Sequence, residues 1–176
     1  MSEVPEGVDL SGFVRKPPRP TATMTLTRDG PNGPEVLLGL RSETMAAFPG
    51  YWAFTGGGVS RVDSAAVESF SVLDVEHGKF IACILRETCE ELGVAPNGDH
   101  VISIDENARF DVIKDKANWL PHAEDCNIPV NTDNINILGH RITPPFGPVQ
   151  FDNAFIHFHC GDWQSVPEFD LEPQTE

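Results

Sequence analysis

Apolar residues alternate with polar ones in several stretches of this chain, and a period of two predicts β-strands. In 21–27, Ala22, Met24 and Leu26 alternate with threonine. The following segment 29–34 is rich in glycine and proline, which predicts a turn and hence a hairpin with the next apolar run. Further strands are predicted over 36–40, 52–54, 101–104, 135–142 and 149–160.

A helical period marks the centre of the chain. It predicts an amphipathic helix over 79–92 that ends at Gly93. The apolar stripe of this helix consists of Ala82, Leu85, Cys89 and Leu92. A second helix is predicted over 105–120, with less regular spacing. Segments 58–77 and 121–130 are predicted to be loops, the first with one helical turn.

The charge of the chain restricts its partners. The 176 residues carry a formal net charge of −15, so nucleic acid duplexes and anionic membranes would be repelled. The four cysteines lack the spacing of metal ligands, and no apolar run is long enough to span a membrane. We therefore expect one cytoplasmic domain with free thiols. Any phosphorylated substrate must be held locally, by metal ions and individual arginines.

Three carboxylates share one face of the predicted central helix. Glu87, Glu90 and Glu91 stand at i, i+3 and i+4 and fall within an arc of about 100°. Like charges at this spacing repel each other, and Mg²⁺ and Mn²⁺ are counter-charges that prefer carboxylate oxygen. A solvated helix face shows the same pattern, so the helix alone does not decide between a metal site and a plain surface.

The surrounding sequence resembles the signature of the Nudix hydrolases. That signature is a glycine, five residues, a glutamate, seven residues, and then Arg-Glu-U-x-Glu-Glu-x-Gly-U, in which U is apolar. The stretch from Arg86 to Val94 matches the second half, with Thr88 as its one soft position. The glycine loop 56–58, at the end of an aromatic strand, matches the beginning of the signature.

The resemblance implies the organisation of the chain. The expected fold class is α/β, a Nudix-type α/β/α sandwich with a mixed central sheet, formed by residues 21–160 with an insertion at 58–77. Residues 1–20 are expected to form an extended arm and 161–176 an acidic tail. Nudix domains usually close their sandwich with a further strand and helix. The tail shows no pattern for them, so we expect that element to be absent or to lie beyond the sequence.

The first half of the signature departs from the family pattern. Gly57, taken as its glycine, lies 29 positions before Arg86 rather than 14, so about fifteen residues are inserted. Counted back from Arg86, the first glutamate of the signature falls on Gly78. We expect Glu76 or Asp74 to take over its role.

The resemblance also implies the chemistry. Nudix hydrolases use water and a divalent metal ion to cleave a diphosphate linked to another group, commonly a nucleoside. The implied ligands of Mg²⁺ or Mn²⁺ are Glu87, Glu90, Glu91 and the Gly57 carbonyl. Arg86 is implied to orient a carboxylate, and these four charged residues form the implied catalytic set. The implied substrate contacts are Arg41, Phe54, Gly56 and Gly57. The general base stays open among Asp105, Glu106, Asp111, Glu124 and Asp125.

A narrower similarity concerns the substrate. The spacing from Leu37 through Arg41 to the glycine loop resembles the motif of coenzyme A diphosphatases. That motif calls for arginine where Ala46 stands and for proline where Thr55 stands. Because Ala46 cannot contact the 3′-phosphate of coenzyme A, we expect a small nucleoside diphosphate derivative, such as a nucleotide sugar or a dinucleotide. Coenzyme A or its acyl esters are the alternative.

Other functions and assemblies stay open. A Nudix-like ligand sensor would keep the fold without hydrolysis, and the missing glutamate at Gly78 favours it, whereas the three intact glutamates oppose it. A structural acidic domain and a homodimer are also open. His157 and His159 point to one face of the last strand, where we expect half-buried imidazoles rather than a metal pair.

Overall fold

The computed structural model describes residues 6–7, 17–45, 49–67, 75–114, 119–144 and 149–161, without the side chains of 75, 76 and 119–121. Nine strands and four helices lie in these residues. In chain order they are β1 (Arg19–Gly30), β2 (Gly33–Val36), β3 (Gly39–Leu40), β4 (Trp52–Ala53), β5 (Thr55–Gly58), α1 (Arg61–Ala66), α2 (Val75–Leu92), β6 (Val94–Asn97), β7 (His100–Ser103), α3 (Glu106–Lys114), α4 (Trp119–Asp125), β8 (Asn136–Ile142) and β9 (Phe151–Cys160).

A mixed sheet of five strands forms the centre of the molecule. Its order is β2-β1-β9-β8, and β5 also pairs with β1, beside the half of β1 that β2 does not reach. Strands β1 and β9 run parallel, whereas the other pairs are antiparallel. The predicted α/β fold with a mixed central sheet is confirmed.

The hydrophobic core lies between this sheet and α2. Alternate residues of β1 and β9 point at the helix and are buried, as the strand period requires: Ala22, Met24, Leu26, Ala154, Ile156, Phe158 and Cys160. Helix α2 packs on β1, β5 and β9, α1 and α3 pack on α2, and α4 packs on α3. The described helices are thus all connected to α2, and the second helical layer of a sandwich stays a prediction.

Several predicted boundaries are wrong. Strand β1 begins at Arg19, inside the segment predicted as an arm, and the predicted strand 36–40 is divided between β2 and β3. Helix α2 begins at Val75, four residues before its predicted start at residue 79. Strand β6 was not predicted, and its Pro96 is tolerated in the two-stranded ribbon that β6 forms with β7.

The helix predicted over 105–120 also differs from the structure. Helix α3 ends at Lys114, and α4 occupies 119–125, where the sequence predicted mostly loop. Pro121 lies in the first turn of α4, where its missing N–H has no helical partner to lose. No helix in the described part of the chain is long and apolar enough to cross a membrane. All four cysteines are unpaired, as expected, and only Cys126 is exposed.

Candidate functional site

The three predicted carboxylates lie at the C-terminal end of α2. Glu87 and Glu90 are buried, and both accept hydrogen bonds from Nη1 of Arg86, at 2.7 Å to Glu87 Oε1 and 3.3 Å to either oxygen of Glu90. Glu91 is held differently, because its Oε2 accepts the backbone N–H of Gly56 at 3.1 Å. The structure therefore connects the carboxylate helix directly to the glycine loop.

The other side of Arg86 meets a residue that was not predicted. Asp63 of α1 accepts Nε of Arg86 at Oδ1 and Nη2 at Oδ2, each at 2.9 Å, and is completely buried. Its Oδ2 also accepts the N–H and the hydroxyl of Ser60, at 2.7 and 2.8 Å. This planar, two-bond pairing fixes the guanidinium in one orientation.

Asp63 corrects the predicted position of the insertion. Five residues separate it from Gly57, which is the spacing of the family signature counted forwards from the glycine. The inserted residues therefore follow the first acidic position instead of preceding it, and Gly78 is a buried residue of α2. Asp63 makes the pairing that was expected of Glu76 or Asp74. Asp74 and the side chain of Glu76 lie outside the described residues.

The glycine loop approaches its neighbours too closely for side chains. A Cβ at Gly57 would collide with the carboxylate of Glu87, and one at Gly56 would collide with the carbonyl oxygen of Ala22 in β1. A Cβ at Gly58 would meet nothing within 4 Å. The Gly57 carbonyl accepts the Sγ of Cys83 at 3.8 Å, and the Gly58 carbonyl accepts Nη2 of Arg86 at 3.2 Å.

Burial and charge shift the ionisation of this cluster. Burial and then the charge of Glu87 raise the pKa of Glu91 to about 7, against the opposing effects of the Gly56 N–H and Arg41. Burial alone would lower the pKa of Arg86, but its hydrogen bonds to Asp63 and the charges of Glu87 and Glu90 raise it. Arg86 is therefore charged, and burial disfavours the ionised form of Glu91.

The oxygen donors of this cluster are of the kind that binds a divalent cation, but they are not arranged as a complete metal site. Within the described residues, no three carboxylates, imidazoles or thiolates are grouped closely enough to hold a metal ion, and two of the glutamates are turned towards Arg86. All of the donors are oxygen atoms, which Mg²⁺ and Mn²⁺ prefer. Three carboxylates contact one buried arginine, and Glu91 lies on the same helix, so negative charge is in excess. A hard cation is the counter-charge that fits this chemistry.

The predicted substrate residues lie on the ribbon that leads into the glycine loop. Arg41 follows β3, donates its N–H to the Tyr51 carbonyl, and lies near enough to Glu91 to influence its pKa. Phe54 and Trp52 are 39% and 66% exposed. An arginine and two exposed aromatic side chains therefore precede the glycine loop that contacts Glu91.

The candidate general bases and the two histidines of β9 remain to be placed. Asp105 caps α3, since its Oδ1 accepts the N–H of Asn107 at 3.0 Å and that of Ala108 at 3.3 Å. Among the other candidate bases, Glu106, Glu124 and Asp125 are exposed and Asp111 is half-buried, so the general base stays open.

His157 and His159 both contact the Thr27 hydroxyl, at 2.8 and 3.0 Å. His157 is half-buried, as predicted, whereas His159 is exposed, so the prediction for His159 is wrong.

A mixed sheet whose glycine loop contacts a carboxylate helix is the architecture of a Nudix protein. The chain superposes on the crystal structure of a Nudix hydrolase from Alicyclobacillus acidocaldarius with a TM-score of 0.73 and 26% identity, covering 90% of this chain and 76% of that one. The Nudix fold is thus shown, and the resemblance to the Nudix hydrolase family is confirmed.

Two further solved structures superpose loosely. A MutT/nudix family protein from Enterococcus faecalis gives a TM-score of 0.47 at 20% identity, over 97% of this chain and 44% of that one. The Nudix domain of Shewanella oneidensis NrtR, crystallised with ADP ribose, gives 0.47 at 14% identity, over 90% and 75%. No protein-family model and no curated protein matches the chain.

Proposed function

We propose that this protein is a divalent-metal-dependent hydrolase that cleaves the diphosphate bond of a nucleoside diphosphate derivative. The observation that carries the proposal is the charged cluster between α1 and α2, in which Asp63 fixes Arg86 and Arg86 fixes Glu87 and Glu90. A purely solvated helix face would not bury these carboxylates. Their burial beside a glycine loop supports a binding site for a cation and a phosphorylated ligand.

Each residue has a distinct role in this proposal. Glu87, Glu90 and Glu91 hold Mg²⁺ or Mn²⁺ together with the Gly57 carbonyl, and Arg86 orients the first two carboxylates. When bound, the metal ion lowers the pKa of water and neutralises phosphate oxygens. Glu91 accepts the Gly56 N–H and is influenced by the charge of Arg41. It is therefore near the proposed phosphate contact.

The substrate proposal follows from the ribbon of β3 and β4. Arg41 supplies a charged contact for the diphosphate, and the exposed rings of Trp52 and Phe54 offer a stacking surface for a nucleobase. Gly56 and Gly57 let the backbone approach the ligand. Ala46, on which the argument against coenzyme A depends, lies outside the described residues. A nucleotide sugar or dinucleotide is the proposed substrate, and coenzyme A or an acyl ester is the second candidate.

A substrate screen with Mg²⁺ and Mn²⁺ tests the proposal. We expect kcat/KM to be highest for ADP-ribose or a dinucleotide and turnover to stop in excess EDTA or in Glu90→Gln. Full activity under either condition contradicts the proposed mechanism. An advantage of coenzyme A of about ten-fold or more, worth about 1.4 kcal/mol, reverses the substrate order. In that case, Arg61 or Arg141 is the arginine to examine.

A ligand sensor is the second candidate function. The absence of the first acidic residue favoured it, but Asp63 now occupies that position, so the main argument for a sensor is removed. Binding of ADP-ribose without turnover, with every metal tested, would favour the sensor. The cytoplasmic location and a homodimer stay predictions.

A further inference from the structure

Arg109 of α3 contacts the helix that carries the proposed metal ligands. Its Nε and Nη2 donate to the Glu90 carbonyl at 3.0 and 2.8 Å, and Nη2 also donates to the Glu91 carbonyl at 3.1 Å. The side chain is half-buried and passes Gly93, where a Cβ would lie 3.4 Å from Cδ of Arg109. One guanidinium therefore binds the backbone of two of the three proposed ligands.

The end of α2 needs such a partner for two reasons. The last carbonyls of a helix have no helical donors and carry the negative end of the helix dipole. Glu90 and Glu91 add two negative side chains at this end, and the last turn contains no basic residue. Acidic side chains in this position weaken the last turn. Arg109 supplies the missing donors and the missing positive charge from another helix.

We propose that Arg109 is a positioning residue for the metal site. By fixing the last turn of α2, it fixes the directions of the Glu90 and Glu91 side chains without touching the metal or the substrate. The inference rests on the proposed function, since it concerns the same carboxylates. Arg109 thus acts through the backbone carbonyls of Glu90 and Glu91, whereas Arg86 binds the carboxylate oxygens of Glu87 and Glu90.

The test measures Mn²⁺ binding to the full chain by calorimetry, without substrate and below the melting temperature of each variant. Arg109→Gln is expected to weaken Mn²⁺ binding about ten- to hundred-fold, as for other residues that support metal ligands. Arg109→Lys keeps the charge but loses the planar fork, so its affinity should lie between those of Arg109→Gln and the wild type. Lys114→Gln removes the same charge from an exposed position of α3 and is the matched control, expected within two-fold of the wild type.

The outcomes separate this inference from the proposed function. If the wild type binds no Mn²⁺, or Glu90→Gln binds it equally well, the proposed metal site is wrong and the role of Arg109 falls with it. If the wild type binds Mn²⁺ and Arg109→Gln binds it equally well, only the role of Arg109 is wrong, even where the melting temperature falls. If Arg109→Gln does not fold, Arg109→Lys decides, because wild-type affinity in that variant overturns the inference.

Discussion

The pairing of Asp63 with Arg86 shows how much one buried side chain can determine. Four hydrogen bonds satisfy the two oxygens of Asp63, two from Arg86 and two from Ser60. A buried charge is tolerated only when it is paired in this way, and removing one partner leaves the other without compensation. The pairing also joins the short helix α1 to α2.

Asp63→Asn is therefore expected to lower the free energy of unfolding by about 3 kcal/mol, because its amide nitrogen cannot accept the hydrogen bonds that Arg86 and Ser60 donate to the buried carboxylate. Urea denaturation measures the change. Glu35→Gln is the matched control, since the Arg28–Glu35 pair is partly exposed and should contribute at most about 1 kcal/mol. Equal losses in the two variants would show that burial does not strengthen the dependence on Asp63.

The three glycines of the loop give a second prediction at single residues. In Gly57→Ala the new methyl displaces the Glu87 carboxylate, which Arg86 otherwise holds in place. We expect kcat/KM to fall about ten- to hundred-fold, as when a metal ligand is misplaced. Gly58→Ala enters open space and should keep activity within two-fold. Steady-state kinetics compares them, and similar activities would exclude a close role for Gly57.

Glu91 gives a prediction about stability and pH in the metal-free protein. Its pKa is about 7 in the folded state and close to 4.3 in an unfolded chain. The folded state therefore binds more protons between these values, and stability falls as the pH rises from about 4.5 to 7. Glu91→Gln should remove this fall and melt at a higher temperature than the wild type at pH 8 in EDTA, while losing turnover.

Calorimetric melting of both proteins from pH 5 to pH 8 measures the effect. The two melting temperatures should converge at pH 5, where Glu91 is protonated, and differ most at pH 8. A wild type that melts higher than Glu91→Gln at pH 8 in EDTA would mean that the ionised carboxylate is well satisfied without a metal.

At the scale of elements, the ribbon of β3 and β4 combines an arginine with an exposed apolar surface. Leu40 and Trp52 are directly opposite each other in the register, so their side chains share one face. Phe54 continues that face two residues later, because side chains alternate along an extended chain. This surface precedes the glycine loop by a single residue, so a ligand could contact both.

Trp52→Ala is expected to raise KM for a nucleoside diphosphate derivative about ten-fold with little change in kcat, since stacking on one aromatic ring is worth about 1–3 kcal/mol. Val36→Ala is the control, because Val36 is an exposed apolar residue of β2, which pairs with β1 rather than with the ribbon. Steady-state kinetics with ADP-ribose decides. If Trp52→Ala changes neither constant, the nucleobase lies elsewhere.

At the scale of the whole molecule, the net charge of −15 repels an anionic substrate as it approaches. At low ionic strength the repulsion extends over about 30 Å, and at 0.15 M salt over about 8 Å. With metal at saturation, kcat/KM should therefore rise several-fold when the salt concentration is raised from low ionic strength to about 0.15 M. An equal osmolality of sucrose serves as the control. A fall in kcat/KM with salt would mean that local positive charge governs association.

Several features of this protein could be determined from the sequence alone. Strand alternation in 21–27 and 149–160 gave the two central strands, because a sheet with one buried face needs apolar residues at every second position. The helical spacing gave α2 and its three carboxylates, and the family signature gave the glycine loop. These features depend on residues that are close together in the chain.

Only the tertiary structure decided which distant residues meet. Asp63 and Arg86 are 23 positions apart, and Arg109 reaches Glu90 across 19, so no local period connects them. Asp63 could have been found by counting forwards from Gly57. Arg109 had no such signal, because a half-buried arginine on a weakly periodic helix resembles any surface charge. Burial decides the importance of both, since unpaired charges and helix ends away from water must find partners wherever the chain places them.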